Sequence, residues 1–206
     1  NNGNAVDVTT NGSIQTFGTN STGILAQSIG GGGGFVGLNT AVDYRMILGS
    51  TYSTGSNNSS NVSIDNRGAI STTGNNSAAL IAQSIAGGGG SAAINWKFTD
   101  DRDGFEQTPL FILGGTSQIL ANSGNITVKN QSNLTTSGLG SPALLLQSIA
   151  GGGGAVQALD DAYAGEVHFG YDSEEIATGL QFSAGSINFT SDNGSILSTS
   201  GERSAA

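Results

Sequence analysis

Ala79-Leu80-Ile81-Ala82-Gln83-Ser84-Ile85-Ala86 runs directly into Gly87-Gly88-Gly89-Gly90, and the phrase occurs three times in this chain. Gly23-Ile24-Leu25-Ala26-Gln27-Ser28-Ile29 precedes Gly30 to Gly34, and Ala143-Leu144-Leu145-Leu146-Gln147-Ser148-Ile149-Ala150 precedes Gly151 to Gly154. The three glutamines lie 56 and 64 residues apart. Self-similarity at so long a period is the mark of an elongated array in which stacked units share one core.

The similarity continues upstream. Val6-x-Val8 leads to Gly18, Ile64 to Gly74 and Val128 to Gly138, and Ile14, Ile70 and Leu134 hold a fixed distance from their glutamines. A fourth copy begins at Ile187-x-Phe189, and Ser204-Ala205-Ala206 matches Ser77-Ala78-Ala79. This reads as one segment, 1–206, excised from a longer repeat array.

Val6-Asp7-Val8-Thr9, Val62-Ser63-Ile64-Asp65 and Ile126-Thr127-Val128-Lys129 alternate apolar with polar, as half-buried strands do. Each runs through an Asn/Gly/Ser turn into Ile14-Gln15-Thr16, Ile70-Ser71-Thr72 or Leu134-Thr135-Thr136, and then into the Gln-Ser phrase. Strand, corner, strand at this spacing predicts an all-β fold, a parallel β-helix. Coils of roughly 20 residues would place two to three coils in each repeat. About ten coils at the strand spacing would give a rod roughly 45–50 Å long. Ile29, Ile85 and Ile149 are expected to face inward in one column, with the glycine runs on one edge. Irregular β-hairpin or loop insertions are expected near 35–61, 91–120 and 155–186, including a hairpin around the Asp100-Asp101-Arg102-Asp103-Gly104 turn.

Composition narrows the function. Gly, Ser, Thr and Asn make up almost half of the chain, only 10% of residues are charged, and the net charge is −9 with six basic residues. So little charge argues against ordinary disorder. No basic cluster is present to neutralise phosphates, so nucleic acid is not an expected partner. With no cysteine there is no disulfide, thiol chemistry or cysteine metal site.

The glycine runs are not phosphate loops, because no Lys-Ser/Thr follows them. Nor do they carry the Asp of the calcium-binding nonapeptide. Each glycine costs about 0.5–1 kcal/mol against Ala in an ordered strand, so their recurrence points to close approach of coils or to φ > 0. The Gln-Ser pairs are read as a corner or an internal ladder rather than a ligand row. Asp100-Asp101, Asp160-Asp161 and Glu174-Glu175 supply carboxylates, but neighbours on a strand point to opposite faces. His168, the single histidine, is read as a solvent-facing strand residue. No catalytic residue, cofactor or metal site is expected. Trp96, Phe98, Phe105, Tyr163, Phe169 and Tyr171, gathered in the two longer insertions, are the candidates for a partner-binding surface.

The Ala-Gln-Ser-Ile-Gly-Gly-Gly-Gly phrase, in a cysteine-free chain rich in Gly, Ser, Thr and Asn, resembles the passenger repeats of type V autotransporter adhesins of Gram-negative bacteria. The likeness covers the three phrases and the strands before them, somewhat over half of the chain, and none of the insertions. It implies a right-handed parallel β-helix displayed outside the cell. The membrane link would be a C-terminal outer-membrane β-barrel that is absent from this chain. It also implies a non-enzymatic adhesin or stalk, whose partners are host-cell or matrix proteins, glycans, or further copies of itself. A β-helix that binds or cleaves polysaccharide, as in lyases and tailspikes, is the alternative.

Overall fold

The computed structural model describes residues 2–38, 46–49, 56–94, 110–114, 121–158, 166–170 and 183–206. Every regular element among them is a strand. The first repeat holds β1 (Val6–Thr10), β2 (Ile14–Thr16), β3 (Ile24–Ile29), β4 (Gly33–Leu38) and β5 (Met46–Leu48). The second holds β6 (Val62–Asn66), β7 (Ile70–Thr72), β8 (Leu80–Ile85), β9 (Gly89–Ile94) and β10 (Leu110–Leu113). The third holds β11 (Ile126–Asn130), β12 (Leu134–Thr136), β13 (Leu144–Ile149), β14 (Gly153–Ala158) and β15 (Glu166–Phe169). The fourth contributes β16 (Ile187–Ser191) and β17 (Leu197–Thr199).

Each strand pairs in parallel with its counterpart in the next repeat. The five sheets run β1-β6-β11-β16, β2-β7-β12-β17, β3-β8-β13, β4-β9-β14 and β5-β10-β15. This is a parallel β-helix. Its register sets like on like: Ile24 on Leu80 on Leu144, Gln27 on Gln83 on Gln147, and Gly33 on Gly89 on Gly153.

One repeat is therefore one coil, not the two to three expected from the sequence. The short strands and corners that suggested a coil of roughly 20 residues are only its first three sides, and two further strands follow before the chain climbs to the next level. Four levels, three of them complete, rise roughly 14 Å between the first and last rungs, in place of the 45–50 Å rod. The two extra strands lie in or overlap the stretches expected to be insertions. The anticipated hairpin, with arms at 94–98 and 105–113, has its turn and most of both arms at 95–109, outside the described residues, but its described ends are not paired with each other. Those ends belong to β9 and β10, which pair with their counterparts in the neighbouring coils.

The reason for the larger coil is in the phrase itself. β6 alternates buried and half-buried residues, but all six residues of β8 are buried. A parallel strand covered on both faces reads as a continuous apolar run rather than an alternating one. Ile24, Ala26, Leu80 and Ala82 point into a core shared with Val62, Ile64, Ile70, Ile126, Val128 and Leu134. Ile81, Gln83 and Ile85 have the opposite parity and are also sealed from solvent. Their cover includes the β4-β9-β14 sheet: Ser91 Oγ donates to Gln83 Oε1 at 3.0 Å, and Gln147 Nε2 donates to the Gly154 carbonyl at 3.2 Å. Ile29, Ile85 and Ile149 do form one column. It faces this outer layer, not the inner core, because it is odd in phase with Ile24 and Ala26. Each large aliphatic sealed in this way contributes about 1.5–3 kcal/mol.

The glycine runs make the fold-back between the two layers. Gly87 to Gly90 all have φ between 87 and 141°, a region closed to most L side chains. A Cβ on Gly89 would overlap the carbonyl of Gly153, and one on Gly90 would overlap that of Gly34. Both expected reasons for glycine, positive φ and close backbone approach, operate at the same positions. Gly12 has neither constraint, with no atom within 4 Å of where a methyl group would stand. We expect Gly89→Ala to destabilise the fold by on the order of 3–5 kcal/mol, and Gly12→Ala to stay within about 0.5 kcal/mol of the parent. Denaturant or thermal unfolding followed by circular dichroism measures both, and equal stability of the two variants would contradict this account of the corner.

Candidate functional site

The repeated polar residues are the natural starting point for a site, and the structure shows where their hydrogen bonds go. Gln27 Nε2 donates to Gln83 Oε1 and Gln83 Nε2 to Gln147 Oε1, each at 2.6 Å. The glutamines form an internal ladder, one of the two arrangements expected from the sequence. Successive copies sit on adjacent rungs rather than two or three coils apart. The serines beside them turn the other way. Ser84 Oγ donates to the Ser60 carbonyl of its own coil at 2.8 Å and accepts from the Gly124 amide of the next at 2.8 Å, tying two levels together.

The corners repeat the device. Ser77 Oγ accepts from the Ser21 amide and donates to the Gly18 carbonyl, both at 2.9 Å, and Ser141 Oγ does the same for Ser77 and Gly74 at the same distances. Asn66 Nδ2 donates to Asn130 Oδ1 at 2.8 Å within the core. On the outside, the carboxamide oxygens of Asn58 and Asn122 accept from the backbone amides of Asn122 and Ser183 at 2.8 and 3.0 Å. These side chains, among the described residues, are committed to neighbouring coils.

Among the described residues, Asp65 and Arg67 form an ion pair on the outside of the stack. Arg67 Nε and Nη2 donate to Asp65 Oδ2 at 2.9 and 2.6 Å, and Gln131 Nε2 donates to Asp65 Oδ1 at 2.7 Å. The Arg67 hydrogen bonds are the main cause of an Asp65 pKa below its ordinary value. The Gln131 bond and the charges of Arg67 and Lys129 act in the same direction, against some desolvation. Such an arrangement braces a surface and offers no second carboxylate for acid–base work on a glycoside. Among the described residues no group of three or more His, Asp or Glu is placed to hold a metal ion.

Of the six aromatic candidates, Trp96, Phe98, Phe105, Tyr163 and Tyr171 lie outside the described residues. Phe169 is described, and it stands in register with Leu113 and, one coil further, Leu48. Leu113 is fully buried whereas Phe169 is 56% exposed. Phe169 thus occupies a column that is sealed one level below, and it is open on the outermost rung of that sheet. His168, expected to face solvent, is half-buried in the column of Ile47 and Ile112.

Shallow grooves are present among the described residues. One, of 320 Å³, is lined by Pro142, Leu145, Val156, Gln157 and Arg203 among others. Another, of 250 Å³, is lined by Phe35, Val36, Ile47, Leu48 and neighbouring glycines. The first exposes mainly apolar surface and the second mainly polar surface.

Sequence reasoning placed His168 on a strand but missed that this strand recurs as the fifth side of every coil. Met46-Ile47-Leu48-Gly49, Phe111-Ile112-Leu113-Gly114 and Val167-His168-Phe169-Gly170 are equivalent, with each glycine at positive φ. Three large side chains followed by glycine was the available signal. Residues 39–45 join β4 to β5 whereas 95–109 join β9 to β10, so no constant period exposes it. Searches with this chain match no protein-family model, no curated protein and no solved structure.

Two tests follow from this geometry. Gln83→Ala removes the partner of the buried Ser91 Oγ, at about 1–3 kcal/mol for a buried group left unpaired, and of Gln27 Nε2 and Gln147 Oε1 on the half-buried rungs to either side. It should lower the unfolding midpoint strongly, while Asn58→Ala on the exposed column changes it little. Asp65 has a lowered folded pKa. Its contribution is complete above its ordinary value of 3.8 and is lost as pH falls through the lowered one. The stability difference between the parent and Asp65→Asn should therefore be small but flat from neutral pH to about 5, and shrink below that. A difference that grew on acidification would contradict the Arg67 and Gln131 assignments.

Proposed function

We propose that this chain is a non-enzymatic adhesin or stalk segment of a Gram-negative autotransporter passenger, displayed outside the cell. The observation that carries the proposal is the Ala-Gln-Ser-Ile-Gly-Gly-Gly-Gly phrase acting as a rung of a parallel β-helix. Its polar groups are spent on coil-to-coil ladders, and its glycines on the fold-back of the coil. Such a body is a support. The partners are host-cell or matrix proteins, glycans, or other copies of the same protein. Contact is carried by the stretches between the fourth and fifth strands and after the fifth, where the coils differ in length and sequence and where Trp96, Phe98, Phe105, Tyr163 and Tyr171 fall.

Binding of the purified chain to glycan and extracellular-matrix arrays tests this reading, in parallel with incubation on a panel of bacterial and plant polysaccharides. Saturable binding to an array component, weakened by Trp96→Ala with the circular dichroism spectrum unchanged, is the expected result. Release of reducing ends or unsaturated sugars from any polysaccharide would overturn it in favour of a carbohydrate-active β-helix.

A further inference from the structure

We infer that Asn11–Gly12 is a site of spontaneous covalent modification, at which the folded chain converts asparagine to aspartate and isoaspartate. The first corner of each coil links the first and second strands. Its equivalents are Asn11-Gly12, Arg67-Gly68 and Gln131-Ser132, and in the fourth coil a corner two residues longer, Asp192 to Ile196, which contains Asn193-Gly194. An asparagine before glycine is the pair in which the next backbone nitrogen most easily reaches the side-chain carbonyl, since no Cβ hinders the approach.

Three such pairs occur in the chain, and the structure separates them. Asn2–Gly3 is held at both reacting ends: the Gly3 amide donates to the Asn58 carbonyl at 2.8 Å, and Asn2 Oδ1 accepts from the Asn58 amide at 3.1 Å. Asn193–Gly194 is exposed too, in a turn closed by the Ser195 amide on the Asp192 carbonyl at 3.1 Å, but its carboxamide has no hydrogen bond from a cation among the described residues. Asn11 and Gly12 are exposed, and the Gly12 amide has no acceptor among the described residues. Space around Gly12 is open to 4 Å on its side-chain face. In addition, Arg67 Nη1 donates to Asn11 Oδ1 at 3.5 Å. A fixed cation there favours the negative charge that builds on that oxygen during attack.

The chemistry needs only water. The Gly12 backbone nitrogen loses its proton to solvent base and forms a bond to Asn11 Cγ. The Cγ–N bond of the carboxamide then breaks and ammonia leaves with the proton. Water opens the resulting succinimide at either carbonyl, leaving an α-linked aspartate or a β-linked isoaspartate. One water is consumed and one ammonia is released. The β-linked product lengthens the main chain at a corner that has no slack, because a Cβ on Gly68 would already overlap the Gly12 carbonyl one level below. The α-linked product only adds a second carboxylate to Arg67.

The test incubates the intact folded chain at mildly alkaline pH and follows each pair by peptide mass spectrometry. Cleavage before Asp7 places Asn2 and Asn11 in separate peptides. Asn11 is expected to convert several times faster than Asn2 in the folded chain, and the two at comparable rates in denaturant. Gly12→Ala, which fits the open space, should slow conversion roughly tenfold. Arg67→Ala should slow it severalfold. Aged parent protein should unfold earlier than fresh protein, whereas Asn11→Asp should match fresh protein. Equal rates at Asn2 and Asn11 in the folded chain, or a rate at Asn11 unchanged by both substitutions, would overturn the inference.

Discussion

Parallel strands in register place every residue directly above its counterpart, one strand spacing of roughly 4.8 Å away. Any side chain at a given position must therefore coexist with a near-copy of itself at that distance. Three kinds of residue satisfy the condition in this chain. Aliphatic columns pack on themselves, as Ile24, Leu80 and Leu144 do. Carboxamides and hydroxyls can both give and accept, so a column of them closes its own hydrogen bonds. Glycine removes the side chain where even a methyl group would strike the carbonyl of the next coil. Charged residues satisfy it badly, because like charges would stack. The low charge content of the chain follows from the stacking rule as much as from function.

The same rule explains why one sheet can be buried on both faces. The β3-β8-β13 sheet separates an inner aliphatic core from an outer layer, and a polar column runs through each side of it. Gln83 and Ser84 are adjacent and point in opposite directions, yet both are sealed and fully bonded. Burying an amide or hydroxyl without a partner costs several kcal/mol in apolar surroundings. Stacked copies provide the partner automatically, so polar residues occupy interior positions that an ordinary core would refuse.

How much of this is legible in the sequence depends on how constant the spacing is. The first three sides of the coil and their register stand out, because Ile14, Ile70 and Leu134 keep a fixed distance from Gln27, Gln83 and Gln147. The glycine corner is legible in its cause, since recurrence after the same phrase leaves few reasons other than steric ones. The coil length is not. Leu80-Ile81-Ala82 is apolar at consecutive positions because both faces of its strand are covered, and the second face needs a second layer. That layer, ending in Met46-Ile47-Leu48 and its equivalents, is joined by links of unequal length that hide its period. Phe169 looks like a contact residue by its type, and only its alignment with Leu113 reveals the column it belongs to.

The shorter of the two coils between the stacked glutamines holds 56 residues of chain for a single strand spacing of rise. Drawn out fully, that length of chain spans about 190 Å, against roughly 4.8 Å along the axis when folded. Peeling one level from the end of the stack would release some forty times the height it occupies. Under tension a body built in this way yields in long steps, each of which relaxes the load on the levels that remain.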